Sequence, residues 1–146
     1  MSLPAPSAWL VFALLSAAFA ALTAIFAKIG VAEVNSNLAT LIRTMIIAAI
    51  LGAFLAATGG LRALSSIPAR SWLFLSLSAL ATGASWACYF RALQLGDAAR
   101  VAPIDKLSVV LVAIFAVMFL GERLSPANWL GVGFIGCGAL LIAFGK

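Results

Sequence analysis

A chain of 146 residues that is 65% apolar and 9% charged, with a mean hydropathy of +1.20, lies outside the soluble globular class, in which about a quarter of residues are charged. It reads as an all-α integral membrane protein, with room for one transmembrane domain over 1–146 and for no soluble appendage. Nine Lys and Arg against four acids give a net charge of +5. Basic residues scattered through so apolar a chain are interfacial anchors, so the expected partner is the lipid bilayer and nucleic acid is excluded.

The first span is expected over residues 7–27, with Trp9 at interfacial depth. It is expected to be a retained span, since a signal peptide carries positive charge ahead of its apolar region and the first cation here, Lys28, follows it. Phe12, Ser16, Phe19, Thr23 and Phe26 recur at helical spacing on one face. Such a mixture of rings and hydroxyls lines a passage or packs against another helix. A polar turn, 30–37, holds Glu33, Asn35, Ser36 and Asn37 and leads into a second span over 38–58, which carries Arg43 inside it. An arginine there either snorkels to the headgroups or marks a functional site.

Residues 59–70, with two glycines, two serines, Pro68, Arg62 and Arg70, are read as a solvated loop. A third span follows over 71–93. Ser71, Ser78, Thr82, Ser85 and Tyr89 fall within about 60° of one another on it, with Trp86 close by, which makes the most coherent polar stripe in the chain. In lipid such a stripe faces protein or water, and a substrate passage is the preferred reading. After Gly96 a fourth span is expected over 101–121, with Pro103 in its first turn, where the missing N–H is tolerated. Its uncharged run, 107–121, is bracketed by Asp105 and Lys106 and by Glu122 and Arg123. Asp105 and Lys106 either form the charged, interfacial end of the helix or, as the preferred reading, are intramembrane charges about a turn inside it, and Arg43 and Asp105, at similar depth from one membrane face, are expected to pair. A fifth span over 127–145 follows the Ser125-Pro126 break, with Lys146 as an anchor.

Histidine is absent, and the acids Glu33, Asp97, Asp105 and Glu122 are dispersed without metal-ligand spacing. There is no nucleophile elbow and no phosphate-binding glycine loop, so neither an enzyme nor a bound cofactor or metal is expected. Cys88 and Cys137 sit in apolar runs and read as small buried hydrophobes.

Ala102-Pro103 near the start of an apolar helix, Phe119-Leu120-Gly121-Glu122 at its end, and a short polar link into the glycine-rich 131–138 helix resemble the EamA-type repeat of the drug/metabolite transporter superfamily. An arginine near the start of the second span is part of the same resemblance. One departure stands out: where the family pattern usually has a second proline, this chain reads Asp105-Lys106-Leu107-Ser108-Val109. The resemblance implies one five-helix repeat and a secondary transporter of a small metabolite or drug-like solute in the cell (plasma or inner) membrane. Its passage would be lined by Ser78, Thr82, Ser85, Trp86, Tyr89, Phe12, Ser16, Phe19 and Thr23. The competing class is a non-transporting membrane partner or a lipid-handling subunit.

Larger relatives carry two such repeats in inverted orientation, so two copies of this chain are expected to assemble. Gly131, Gly138 and Gly145 share one helix face, and Gly133 and Gly136 the opposite one, which offers close approach to two neighbours. The Gly131 and Gly138 spacing is similar to the dimerisation face of small multidrug resistance proteins. One membrane face would hold Arg62, Arg70 and Arg123 and the other Lys28, Arg91, Arg100 and Lys146, a near balance that admits an antiparallel homodimer. Counting Arg43 and Lys106 as well favours an outside amino terminus, whereas the family resemblance suggests the opposite.

Overall fold

Every regular element is helical in the computed structural model, which describes residues 8–145. The expected start at Ser7 and the Lys146 anchor lie outside those residues. The elements are α1 (Ala8–Gly30), α2 (Ser36–Ala57), α3 (Ala69–Leu95), α4 (Ala98–Asp105), α5 (Ser108–Phe115) and α6 (Pro126–Phe144). Five stretches are long and apolar enough to cross a membrane: α1, α2, α3, the composite Ala98–Leu120, and α6. The third has the lowest mean hydropathy, 1.4 against 2.4 for α1, because its polar stripe displaces apolar residues. The protein is thus all-α and multi-pass.

The chain divides into two compact units. Among the described residues, the first comprises 8–26 and 95–145, the second 27–94. In the first, α6 packs on α4 and α5. Its start is written locally: the Ser125 hydroxyl accepts from the Asn128 N–H at 3.2 Å and Pro126 occupies the first turn, where no donor is lost.

The fourth span is not one continuous helix over 101–121. The helix begins three residues earlier, at Ala98, which moves Pro103 from the first turn to the helix interior. A proline there removes a backbone donor and crowds the preceding turn, and α4 ends two residues later at Asp105. Tighter bonds carry the chain across to α5, among them Leu107 N–H to the Ile104 carbonyl and Val109 N–H to the Lys106 carbonyl, both 3.0 Å. The break thus falls at the charged residues that stand where the family pattern has its second proline.

Beyond α5 the last turn widens into a π-turn, Ala116–Leu120, closed by Gly121 at φ 68°. The Gly121 and Glu122 N–H groups both reach back to the Ala116 carbonyl, so the glycine of the Phe119-Leu120-Gly121-Glu122 motif supplies the left-handed backbone that stops the helix.

In the second unit, Asn35 caps α2, its Oδ1 accepting from the N–H groups of Asn37 (2.9 Å) and Leu38 (3.4 Å). The 59–70 stretch is more ordered than a solvated loop. Gly60–Ser66 is a 3-10 turn whose Ser65 and Ser66 hydroxyls donate to the Arg62 and Ala63 carbonyls, and α3 starts at Ala69. Val31, Ser36, Phe90 and Leu93 are buried and form a small core at one end of this unit. Cys88 and Cys137 are free thiols and are exposed, not buried as expected, on helices whose apolar surface is suited to lipid.

Candidate functional site

The best-defined polar geometry lies in the second unit, where α3 returns alongside the start of α2. Gln94, in the last turn of α3, donates from Nε2 to the carbonyls of Val31 (3.0 Å) and Val34 (2.7 Å), holding the link between α1 and α2. Arg91 donates to the Gln94 Oε1 at 3.2 Å. Lys28 donates from Nζ to the Leu93 carbonyl at 2.6 Å, satisfying one of the carbonyls a helix end leaves without a partner. These contacts fix the register of an antiparallel pair. At 1.5 Å per residue, Arg43 lies about 13 Å into α2 from the level of Val34, and Trp86 about 12 Å into α3 from the level of Gln94.

The two meet at that depth. The Arg43 Cζ lies 3.4 Å from the centroid of the Trp86 ring and 6.0 Å from that of Phe90. With C–N bonds of about 1.3 Å, an edge-on guanidinium at that height would drive a nitrogen well inside contact distance of the ring, so the group lies face-on. Trp86 is itself held by Tyr89 and Phe90, each at 5.5 Å between centroids and near-perpendicular, at 83° and 89°. Phe90 is 3% exposed, which anchors the platform in the unit's core.

Arg43 therefore does not snorkel to the end of the helix pair, where Gln94 sits. Thr40 and Thr44, its neighbours on α2, turn their hydroxyls back to the carbonyls of Ser36 and Thr40 at 2.9 and 2.8 Å. Neither they nor Glu33, the single acid among residues 27–94, forms a hydrogen bond or ion pair with the guanidinium. The face of Arg43 is fixed, while among the described residues of its own unit its in-plane N–H donors have no partner.

The structure thus joins Arg43 to the Trp86 and Tyr89 end of the α3 stripe, while Ser78, Thr82 and Ser85 continue that stripe as exposed residues. Phe12, Ser16 and Phe19 are exposed on α1, and the Thr23 hydroxyl donates to the Phe19 carbonyl of its own helix at 2.8 Å. Asp105, in the first unit, has Lys106 as its partner there, Nζ to Oδ2 3.2 Å, while Arg43 in the second unit has Trp86.

On α6 the two glycine faces differ. A Cβ at Gly136 would meet the Val110 Cγ2 of α5 at 3.3 Å, whereas at Gly131, Gly133 and Gly138 it would meet nothing within 4 Å. Gly145 falls beyond the end of α6, and its N–H bonds the Leu141 carbonyl at 2.7 Å. It terminates the helix and does not extend the Gly131 and Gly138 face along it.

The roles of Gln94 and Lys28 were not anticipated, and neither was the Arg43–Trp86 contact. The contact follows once the register is known, since two antiparallel helices of equal rise that are matched near Val34 and Gln94 bring residue 43 to within one position of residue 86.

The EamA-like transporter family model matches residues 7–144. The chain belongs to that family. An "uncharacterized transporter in cobO 3'region" from Sinorhizobium sp. is 67% identical over 135 residues, covering 92% of this chain and 96% of that one. A second relative, the "probable 4-amino-4-deoxy-L-arabinose-phosphoundecaprenol flippase subunit ArnE" of Aeromonas hydrophila subsp. hydrophila, is 39% identical over 71 residues. That match covers 49% of this chain and 60% of the relative. No solved structure matches the chain. Membership in the family, together with the five apolar spans, points to membrane transport and away from enzymatic chemistry.

Proposed function

We propose that this EamA-type protein is a secondary transporter that moves a small metabolite or drug-like solute across a bacterial-type cytoplasmic membrane, its five helices acting as one transmembrane domain. The observation that carries the reading is the Arg43 guanidinium held on Trp86 about 12 Å inside an apolar helix pair. An ionisable group kept at that depth belongs to a solute path, because lipid alone would draw it to the interface. The α3 residues Ser78, Thr82, Ser85, Trp86 and Tyr89 continue the path, with Phe12, Ser16, Phe19 and Thr23 of α1 as its second lining.

The working unit is a homodimer of single repeats. A relative of nearly the same length, matched over 96% of its chain, supports a family form of this size. Gly131 and Gly138 supply the contact, since a Cβ at either would meet no described residue within 4 Å. An antiparallel arrangement would rebuild the inverted pair of larger relatives.

Purified protein reconstituted alone into liposomes tests the reading. Saturable, protein-dependent uptake should appear within a panel of radiolabelled amino acids, organic anions and quaternary ammonium compounds. The similarity to a flippase subunit favours one competing reading, a lipid-handling subunit. Absence of flux for the whole panel, with accelerated exchange of fluorescent phospholipid between leaflets, would replace the first reading with the second.

A further inference from the structure

Resting on the transport reading above, the geometry at Arg43 points to the class of group that the path accepts, and we infer that Arg43, clamped on Trp86, is a receptor for an oxyanion, a phosphate or carboxylate carried by the transported molecule. Three observations converge. The guanidinium is immobilised through its face, 3.4 Å above an indole that is itself wedged by Tyr89 and Phe90. Within its unit, stacking leaves the in-plane N–H donors unpaired, and these match the two oxygens of a carboxylate or phosphate edge. The charge at this end of the unit is one-sided: Lys28 and Arg91 accompany Arg43 against Glu33 alone, while Arg62 and Arg70 lie at the far ends of α2 and α3.

A purely structural arginine at this depth would be expected to satisfy its donors with a carboxylate or with backbone carbonyls. Arg43 does neither within its unit. Thr40 and Thr44, the hydroxyls nearest to it along α2, bond their own helix and leave it so. An organic cation is disfavoured at the same place, since the face of Trp86 that would receive it is already covered by a positive charge. An arriving oxyanion instead completes the guanidinium's hydrogen bonds and cancels its charge in the apolar surroundings, where both effects are strongest.

The test reads Trp86 directly. Trp9, Trp72 and Trp129 are replaced by Phe, and the single-tryptophan protein is titrated in phosphate-free dodecyl maltoside micelles with inorganic phosphate, with succinate, and separately with phosphatidylglycerol. A saturable change in Trp86 emission is expected. Response to phosphate or succinate identifies a soluble anion as the source, response to phosphatidylglycerol alone identifies a lipid headgroup, and either supports the inference. Arg43→Lys should weaken the apparent affinity at least tenfold, because a point charge replaces a stacked fork. Arg43→Gln should abolish the response, while Arg62→Gln, beyond the far end of α2, should retain it. No saturable change with Arg43 present, an unchanged titration in Arg43→Gln, or equal loss in Arg62→Gln would overturn the assignment, the last by showing only diffuse attraction to basic charge. A merely structural Arg43 would not produce an anion-dependent emission change. The titration measures binding without transport, so protein that binds but gives no flux removes the transport reading and leaves the receptor, whereas flux without this binding removes the receptor alone.

Discussion

Gln94 and Arg43 show how differently a polar side chain is used at the end and in the interior of a helix pair. Gln94 spends its amide on two carbonyls that a link between spans cannot pair by itself, and it does so where Val31 and Leu93 are 1% and 0% exposed. Gln94→Leu would keep the volume and strand both carbonyls. Each group left without a donor is expected to destabilise the unit by about 1–3 kcal/mol, to be read as a lower midpoint in thermal unfolding in detergent. Arg43 is held by a ring, so its loss should cost less stability and more function. Trp86→Leu removes the cation–π contact, about 0.5–2 kcal/mol, and frees the guanidinium to snorkel. Cysteine reactivity follows from the same reading. In a Cys88→Ser, Cys137→Ser background, cysteines at Ser78, Thr82 and Ser85 should react with water-soluble thiol reagents if that stripe is wet, and uniform protection would show dry packing.

Among the helices, α6 shows that identical residues at helical spacing carry different roles. Gly136 faces α5, where Val110 already sits at the limit of contact, so Gly136→Leu should overpack the first unit and destabilise the monomer by about 1–3 kcal/mol. Gly138 faces open space, so Gly138→Leu should leave the monomer folded and inserted while abolishing the crosslinked dimer and its transport. Circular dichroism and crosslinking on the two variants separate the effects; loss of fold in Gly138→Leu, or an undiminished dimer, would place the contact elsewhere. The composite fourth span follows the same logic, since a proline moved into the helix interior ends α4 at the Asp105–Lys106 pair.

For the assembled protein, charge distribution sets the orientation question. The basic residues flanking the spans are nearly balanced between the two faces, so neither orientation is strongly imposed. Reporter fusions at both termini should then detect each terminus on both sides of the membrane, as an antiparallel dimer requires. A single orientation would favour a parallel dimer, in which the Gly138 contact persists but the inverted pair does not form.

The five stretches long and apolar enough to cross a membrane were legible because they depend on quantities summed along the chain. Apolar runs of about 20 residues and their cap signals, Asn35 and Ser125 among them, need no knowledge of the neighbours. The grouping of Ser78, Thr82, Ser85, Trp86 and Tyr89 on one face was legible for a similar reason, since helical periodicity is a property of one element. Which of those residues Arg43 meets was not. A stacked guanidinium depends on the register between α2 and α3, and that register is set by Gln94 and the Val31–Val34 link, which carry no periodic signal. The distinction between Gly136 and Gly138 has the same origin: spacing places them about 200° apart, but only packing decides which face Val110 fills and which stays open.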